Sequence, residues 1–235
     1  MNPWVRGEVH LWTAYHEDVS HLDAQLRTFL STEEQERLAK YLVAAPRQQF
    51  LRSRGLLRLL LSQYLDCSPP AIQFQYLAQG KPTLAPEVSH PIQFNIAHSQ
   101  DCTLFAFSQD LALGVDLEYV DDRCHYREIA QRFLREEEWQ NFAQINAAQQ
   151  KLAFFRIWSR KEALIKLWGD SLFQGLQLYP VPTSIHPEQF SVISQKQTIY
   201  LQDLDLNPRF TAALATFEQP SQIKYHRCSA ETLLI

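Results

Sequence analysis

Short segments from the first half of this chain recur, in order, in the second half at a nearly constant distance. Val9-His10-Leu11 is matched by Val115-Asp116-Leu117, and Thr32-Glu33-Glu34 by Glu136-Glu137-Glu138. Ser53-Arg54 returns as Ser159-Arg160, and Thr103-Leu104-Phe105-Ala106 as Thr211-Ala212-Ala213-Leu214. The offsets are 106, 104, 106 and 108 residues. Each match alone is trivial, but four in order indicate a duplicated unit. In a chain of 235 residues this predicts two similar halves, 1–110 and 111–235. A cleft between such halves is where ligands commonly sit.

Periodicity predicts mixed elements within each half, an α+β fold with pseudo-twofold symmetry. Glu8 to Tyr15 reads as a strand, and Ser31-Thr32-Glu33-Glu34 is a capping box that opens a helix through Tyr41. After Pro46, the apolar residues of Gln49 to Leu65 exceed one helical face, which predicts a largely buried helix. Strands are expected at 72–77, 92–96, 103–108 and 111–120, with a turn at Gly80-Lys81-Pro82. A helical region over 127–145 and an amphipathic helix over 150–168 follow, then short strands such as 197–201 and 210–217.

Composition narrows the class. Hydrophobic residues make up 46% of the chain and charged residues 20%, as in a globular protein with a real core. The net charge of -4 gives no bulk affinity for nucleic acid, so any anion site must be a local cluster. Cys67, Cys102, Cys124 and Cys228 lie far apart and fit neither a zinc site nor a disulfide scaffold; free thiols are the expectation. The longest apolar run, Leu56 to Leu61, is broken by Arg58 and too short to span a bilayer. Met1-Asn2-Pro3-Trp4 opens no secretion signal, so a cytoplasmic protein with no membrane or nucleic-acid partner is expected.

Three segments carry chemistry. In Gly114-Val115-Asp116-Leu117-Glu118, strand alternation puts Leu113, Val115, Leu117 and Tyr119 on one side. Asp116 and Glu118 share the other, roughly 6–7 Å apart, and repel unless a cation sits between them. Gly114, on the same face, leaves room for a ligand beside the backbone. In isolation, a D-x-E of this kind is more often a solvated strand edge. Trp158-Ser159-Arg160-Lys161-Glu162-Ala163-Leu164-Ile165-Lys166 places Glu162 and Lys166 one helical turn apart on a narrow polar stripe, with Lys161 beside it. One acid with two lysines suits a metal-bound phosphate, although an exposed Glu–Lys pair has the same spacing. In Phe94-Asn95-Ile96-Ala97-His98-Ser99, His98 taken alone is a satisfied core histidine. Lys81 reads as a turn lysine, and Arg37 as a helix partner of Glu33.

The order of these segments changes their weight. Gly80-Lys81-Pro82, Phe94-Asn95-Ile96-Ala97-His98-Ser99, Gly114-Val115-Asp116-Leu117-Glu118, Arg132-Phe133 with Glu138-Trp139, and Trp158-Ser159-Arg160-Lys161-Glu162-Ala163 with Lys166 follow one another. Together they resemble the signatures of the Sfp-type 4′-phosphopantetheinyl transferases over about residues 30 to 170. The resemblance implies a pseudo-dimer of two α+β halves in one chain, hence a monomer. It also implies Mg²⁺-dependent transfer of 4′-phosphopantetheine from coenzyme A to a serine of an apo acyl or peptidyl carrier protein. By the same resemblance Asp116, Glu118 and Glu162 hold Mg²⁺, Lys161 and Lys166 contact the diphosphate, and Lys166 can protonate the leaving 3′,5′-ADP. His98 and Asn95 bind coenzyme A at its phosphoadenosine end, and Lys81 and Arg37 face the nucleotide. Glu138 is placed as the base for the carrier serine.

There are departures from the family pattern. Ala97 replaces a serine, removing a hydroxyl contact, and Glu34 stands where the type member has a lysine. Arg47, Arg52 and Arg54 are further candidates for the nucleotide. The arginine-rich stretch Asp121 to Glu138, with Arg123, Arg127, Arg132, Arg135 and the apolar Tyr126 and Phe133, fits an acidic carrier surface. The competing readings are a Mg²⁺-dependent diphosphate hydrolase with the same acids, and a catalytically silent carrier-binding module.

Overall fold

The duplication is visible as a repeated order of elements in the computed structural model, which describes residues 4–77, 79–85 and 92–233. The first half runs β1 (Glu8–Tyr15), α1 (Asp23–Thr28), α2 (Thr32–Ala39), α3 (Ala44–Leu65), β2 (Phe74–Tyr76), β3 (Pro82–Leu84), β4 (Gln93–Ser99) and β5 (Cys102–Ser108). The second runs β6 (Leu113–Tyr119), α4 (Tyr126–Phe133), α5 (Glu136–Ala143), α6 (Ala147–Trp168), α7 (Leu172–Leu178), β7 (Gln189–Ser194), β8 (Gln197–Asp203) and β9 (Phe210–Thr216). A last strand, β10 (Gln222–Arg227), follows.

Each half builds the same antiparallel ladder, β1-β5-β4 in one sheet and β6-β9-β8 in the other. The helices match as well: α2 and α5 have 8 residues each, α3 and α6 have 22 each. The expected α+β fold with two similar halves is therefore the one observed.

Alternation along the strands sorts the core into layers. Trp12, Ala14, Phe105 and Phe107 pack under α3 with Leu56, Leu57 and Leu60. The opposite faces of the sheets meet through Val9, Leu11, Leu104, Ala106, Val115, Leu117 and Leu214. On the far side, Ile199, Leu201, Ala213 and Ala215 pack against Ile157 and Leu164 of α6. The layer order is helix, sheet, sheet, helix.

Two local expectations are corrected. The single helical region over 127–145 is broken at Leu134, whose ψ of 149° turns the chain into extended backbone between α4 and α5. Glu138 then caps the new helix start by accepting the Arg135 N–H at 2.9 Å. Gly114 leaves no room for a ligand: a Cβ there would lie 2.2 Å from the Ala163 carbonyl oxygen and 2.3 Å from the Leu167 nitrogen. Glycine is required because α6 lies directly on β6.

The open edges of the paired strands are closed differently. β10 crosses back to pair in parallel with β1. The outer edge of β6 instead faces β4, where Asn95 Oδ1 accepts the Val115 N–H at 2.9 Å and Ser99 Oγ accepts the Tyr119 N–H at 3.0 Å. Side chains of the first half thus complete the strand that carries Asp116 and Glu118.

Candidate active site

The close approach of α6 to β6 at Gly114 brings two sets of polar side chains together. Asp116 and Glu118 leave β6 on the face toward the helix, and Glu162 and Lys166 leave α6 one turn apart. Asp116, Glu118 and Glu162 each offer an oxygen, and these atoms lie within 4.8 Å of one another. Lys166 Nζ stands 2.6 Å from Asp116 Oδ1 and 3.9 Å from Glu162 Oε2.

Three acids this close in a partly dry site resist ionising together. Burial, followed by the charges of Asp116 and Glu162, pushes Glu118 up to about 8. Burial and then Asp116 push Glu162 up to about 7. Burial works against the charge of Lys166, but Asp116, Glu162 and Glu118 outweigh it and hold its pKa above the usual lysine value. Asp116 is 2% exposed, and its Oδ2 is buried with no hydrogen-bond partner. An all-oxygen donor set with surplus negative charge and an orphaned buried oxygen fits a hard divalent cation.

Beside this cluster, His98 on β4 is exposed, with its Nδ1 3.1 Å from Gln49 Nε2 of α3. Although solvent reaches the ring, partial desolvation by the surrounding protein, then the Lys166 charge, lowers its pKa. Arg37, Tyr41, Phe50, Arg54 and His98 line a cavity of about 310 Å³. The Arg37 guanidinium lies over the Phe50 ring at 5.0 Å; Arg54 Nε lies 3.4 Å from Glu34 Oε1, and its Nη1 is buried without a partner. Of the three further arginines, Arg54 is the one that lines this cavity. Arg52 is held by Asp23 at 2.7 and 2.8 Å and faces a neighbouring cavity of about 660 Å³ with His16, Tyr119, Arg123 and Arg209. Arg47 is exposed.

Other sequence candidates are not brought to the cleft. Lys161 is fully buried, and its Nζ donates to the carbonyls of Leu176 and Tyr179 at 2.8 and 2.9 Å and meets Glu138 Oε2 at 2.8 Å. Three acceptors use every ammonium proton. Glu138, 4% exposed, also takes the N–H groups of Arg135 and Val181 at 2.9 Å each. Lys81 donates to the carbonyls of Lys166 at 2.7 Å and Leu113 at 3.3 Å, bracing the end of α6 against the start of β6. Burial lowers its pKa to about 8. Asn95 is spent on the β6 backbone, and Ala97, 2% exposed, packs between the sheets.

Sequence reasoning passed over two donors. Trp158 Nε1 donates to Glu162 Oε1 at 2.8 Å, and Ser99 Oγ to Glu118 Oε2 at 3.2 Å. The i,i+4 spacing of Trp158 and Glu162 was a usable signal; nothing local links Ser99 to Glu118.

Comparison with known proteins covers both halves. A model described as the 4′-phosphopantetheinyl transferase superfamily matches residues 112–217, and one described as 4′-phosphopantetheinyl transferase, N-terminal, matches residues 11–110. The 4′-phosphopantetheinyl transferase HetI of Nostoc is 32% identical over 179 residues, 75% of this chain and 76% of that one. The 4′-phosphopantetheinyl transferase psf-1 of Bacillus pumilus is 26% identical over 193 residues, 82% and 81% of the two chains. A Synechocystis protein with a provisional 4′-phosphopantetheinyl transferase name is 35% identical over 150 residues, 64% of this chain and 61% of its own. The matched stretch thus spans about three fifths of that relative's length.

Proposed function

Since the chain belongs to the 4′-phosphopantetheinyl transferase superfamily, we propose that it moves 4′-phosphopantetheine from coenzyme A to a serine of an apo carrier protein. The observation that carries this reading is the convergence of Asp116, Glu118 and Glu162 beside Lys166. Asp116, Glu118 and Glu162 would hold Mg²⁺, which when bound neutralises diphosphate charge as it builds toward the transition state.

The remaining work belongs to side chains of this chain. The serine Oγ attacks the β-phosphorus and gives up its proton to solvent, the bond from that phosphorus to the bridging oxygen breaks, and 3′,5′-ADP leaves with the bonding electron pair. Lys166 is kept charged by its three acidic neighbours. In this reading it is the donor that neutralises or protonates the departing phosphate. Arg37, Arg54 and His98 present cations and donors to the phosphoadenosine end from their shared cavity. In this reading Lys161 and Glu138 act by holding α5 and α6 in place rather than by touching substrate.

Transfer is tested by incubating the protein with coenzyme A, Mg²⁺ and apo acyl or peptidyl carriers, followed by intact mass. One added phosphopantetheine on the carrier is expected. Free phosphopantetheine with unmodified carrier would make it a diphosphate hydrolase, and carrier binding without any turnover a silent binding module. The two halves in one chain support a monomer, to be checked by light scattering. Among the described residues no helix is long and apolar enough to cross a membrane.

A further inference from the structure

In each of the three clustered carboxylates one oxygen is hydrogen-bonded by a side-chain donor, two of the donors coming from α6 and one from β4. Lys166 Nζ meets Asp116 Oδ1 at 2.6 Å, Ser99 Oγ donates to Glu118 Oε2 at 3.2 Å, and Trp158 Nε1 donates to Glu162 Oε1 at 2.8 Å. That leaves a second oxygen on each acid outside these hydrogen bonds: Asp116 Oδ2 is buried without a partner, and Glu162 Oε2 has Lys166 Nζ only at 3.9 Å. The two neutral donors are themselves held. Trp158 is clamped in an aromatic cluster, with ring centroids 5.6 Å from Phe154 and 6.2 Å from Phe133. Ser99 is fixed by accepting the Tyr119 N–H at 3.0 Å, which directs its hydroxyl proton toward Glu118.

We propose that Trp158 and Ser99 are positioning residues for the divalent cation, each occupying one oxygen of a ligand carboxylate so that the other is presented to the metal. A free glutamate rotates about its terminal bond and offers either oxygen. A donor fixed by packing removes that freedom, and the ordering is complete before the metal arrives. Neutral donors suit the task, because a second cation beside Lys166 would compete with the metal for the same charge. Ser99 comes from the first half and Trp158 from the second, so the metal geometry depends on the docking of the halves.

The inference rests on the metal reading of the carboxylate cluster, and the test separates the two. Mn²⁺ serves as the probe, with free ion counted by electron paramagnetic resonance in the absence of coenzyme A. Melting temperature in EDTA is measured in parallel. Trp158→Phe keeps the ring packing and removes only the N–H; Ser99→Ala removes the hydroxyl, and Ser99→Thr restores it. Asp116→Asn is expected to abolish Mn²⁺ binding. Trp158→Phe and Ser99→Ala are each expected to raise the Mn²⁺ Kd about 10–100-fold, with Ser99→Thr recovering most of the loss. The metal-free melting temperature of Trp158→Phe should stay at the wild-type value. If Asp116→Asn abolishes binding while Trp158→Phe and Ser99→Ala bind Mn²⁺ like wild type, the positioning role is overturned and the metal site stands. A fall in metal-free stability with unchanged affinity of the folded protein overturns it equally. If Asp116→Asn binds Mn²⁺ normally, the metal reading itself fails.

Discussion

Lys161 Nζ lies 2.8 Å from Glu138 Oε2, and neither side chain is more than 5% exposed. The same device stands in the other half, where Arg58 Nε meets Glu34 Oε2 at 2.5 Å. Each acid is the third residue of an eight-residue helix, and each cation belongs to the 22-residue helix packed on it. Each cation also holds backbone carbonyls of the chain beyond its long helix, Pro69 and Ile72 for Arg58, Leu176 and Tyr179 for Lys161. Its repetition in the half without the acidic cluster supports an architectural role for the pair.

Removing one partner of such a pair strands the other charge. Lys161→Met should destabilise by about 3–5 kcal/mol, read by urea unfolding, and adding Glu138→Gln should recover part of the loss. Glu138→Gln, assayed where it is folded, should keep kcat within a few-fold of wild type. A collapse of kcat at unchanged stability would return Glu138 to the role of base.

At the carboxylate cluster, Asp116→Asn should lower kcat/KM by on the order of 10²–10³ or more. Its melting temperature in EDTA should stay near the wild-type value, since relief of repulsion among Asp116, Glu118 and Glu162 offsets the loss of the Asp116–Lys166 pair. Mg²⁺ should raise the melting temperature of the wild type and leave the variant unmoved. An equal Mg²⁺ shift in both proteins would place the cation elsewhere.

In the cavity beside His98, Arg37→Ala and Arg54→Ala should raise KM for coenzyme A more than they lower kcat. Each lost phosphate contact costs about 1.5–3 kcal/mol. Repeating the titration with dephospho-coenzyme A identifies the arginine that grips the 3′-phosphate, because its effect should shrink. Lys81→Met should lower stability and leave the ratio between the two substrates unchanged, since Lys81 is committed to backbone carbonyls.

The face of β1 equivalent to the acidic one is filled with rings. Trp4 stacks on His10 at 4.1 Å, and His226 of β10 stacks on Trp12 at 4.4 Å. Burial first lowers the pKa of both histidines; Glu8 partly offsets this at His10, while Lys224 reinforces it at both. The unfolded chain therefore takes up these protons before the folded one. Their contribution to stability is complete above the unfolded value of about 6.5 and is lost as pH falls through it toward the folded values. Denaturation midpoints between pH 7.5 and 5 should fall less steeply for His10→Gln and His226→Gln than for wild type. Parallel profiles would exclude these histidines as the source.

Arg127 and Arg132 are exposed on α4, and Phe173, 73% exposed, sits with its ring 6.2 Å from Phe133. An apolar anchor within a basic rim suits an acidic carrier surface. Arg127→Glu should raise the carrier KM at low ionic strength, with the effect fading as salt screens it, and leave coenzyme A affinity untouched. Identical salt dependence in wild type and variant would remove α4 from the docking surface.

Local rules of spacing account for the part of this protein that is legible along the chain. The near-constant offset encodes two copies of one α+β unit, because matched periodicities produce matched elements. Alternation on a strand put Asp116 with Glu118, and one helical turn put Glu162 with Lys166; both hold whatever the surroundings. Which polar groups reach the cleft depends on how the elements pack. Lys161 and Lys166 look equivalent on the motif, yet 100° per residue turns Lys161 toward the chain after α6, where carbonyls and Glu138 absorb its charge. Lys81 and Asn95 are likewise drawn into bracing the backbone, and the split at Leu134 follows from burial of its side chain beside a capped helix start. A buried donor or charge must be satisfied by whichever partners packing brings near, and those partners are tens of residues distant along the chain.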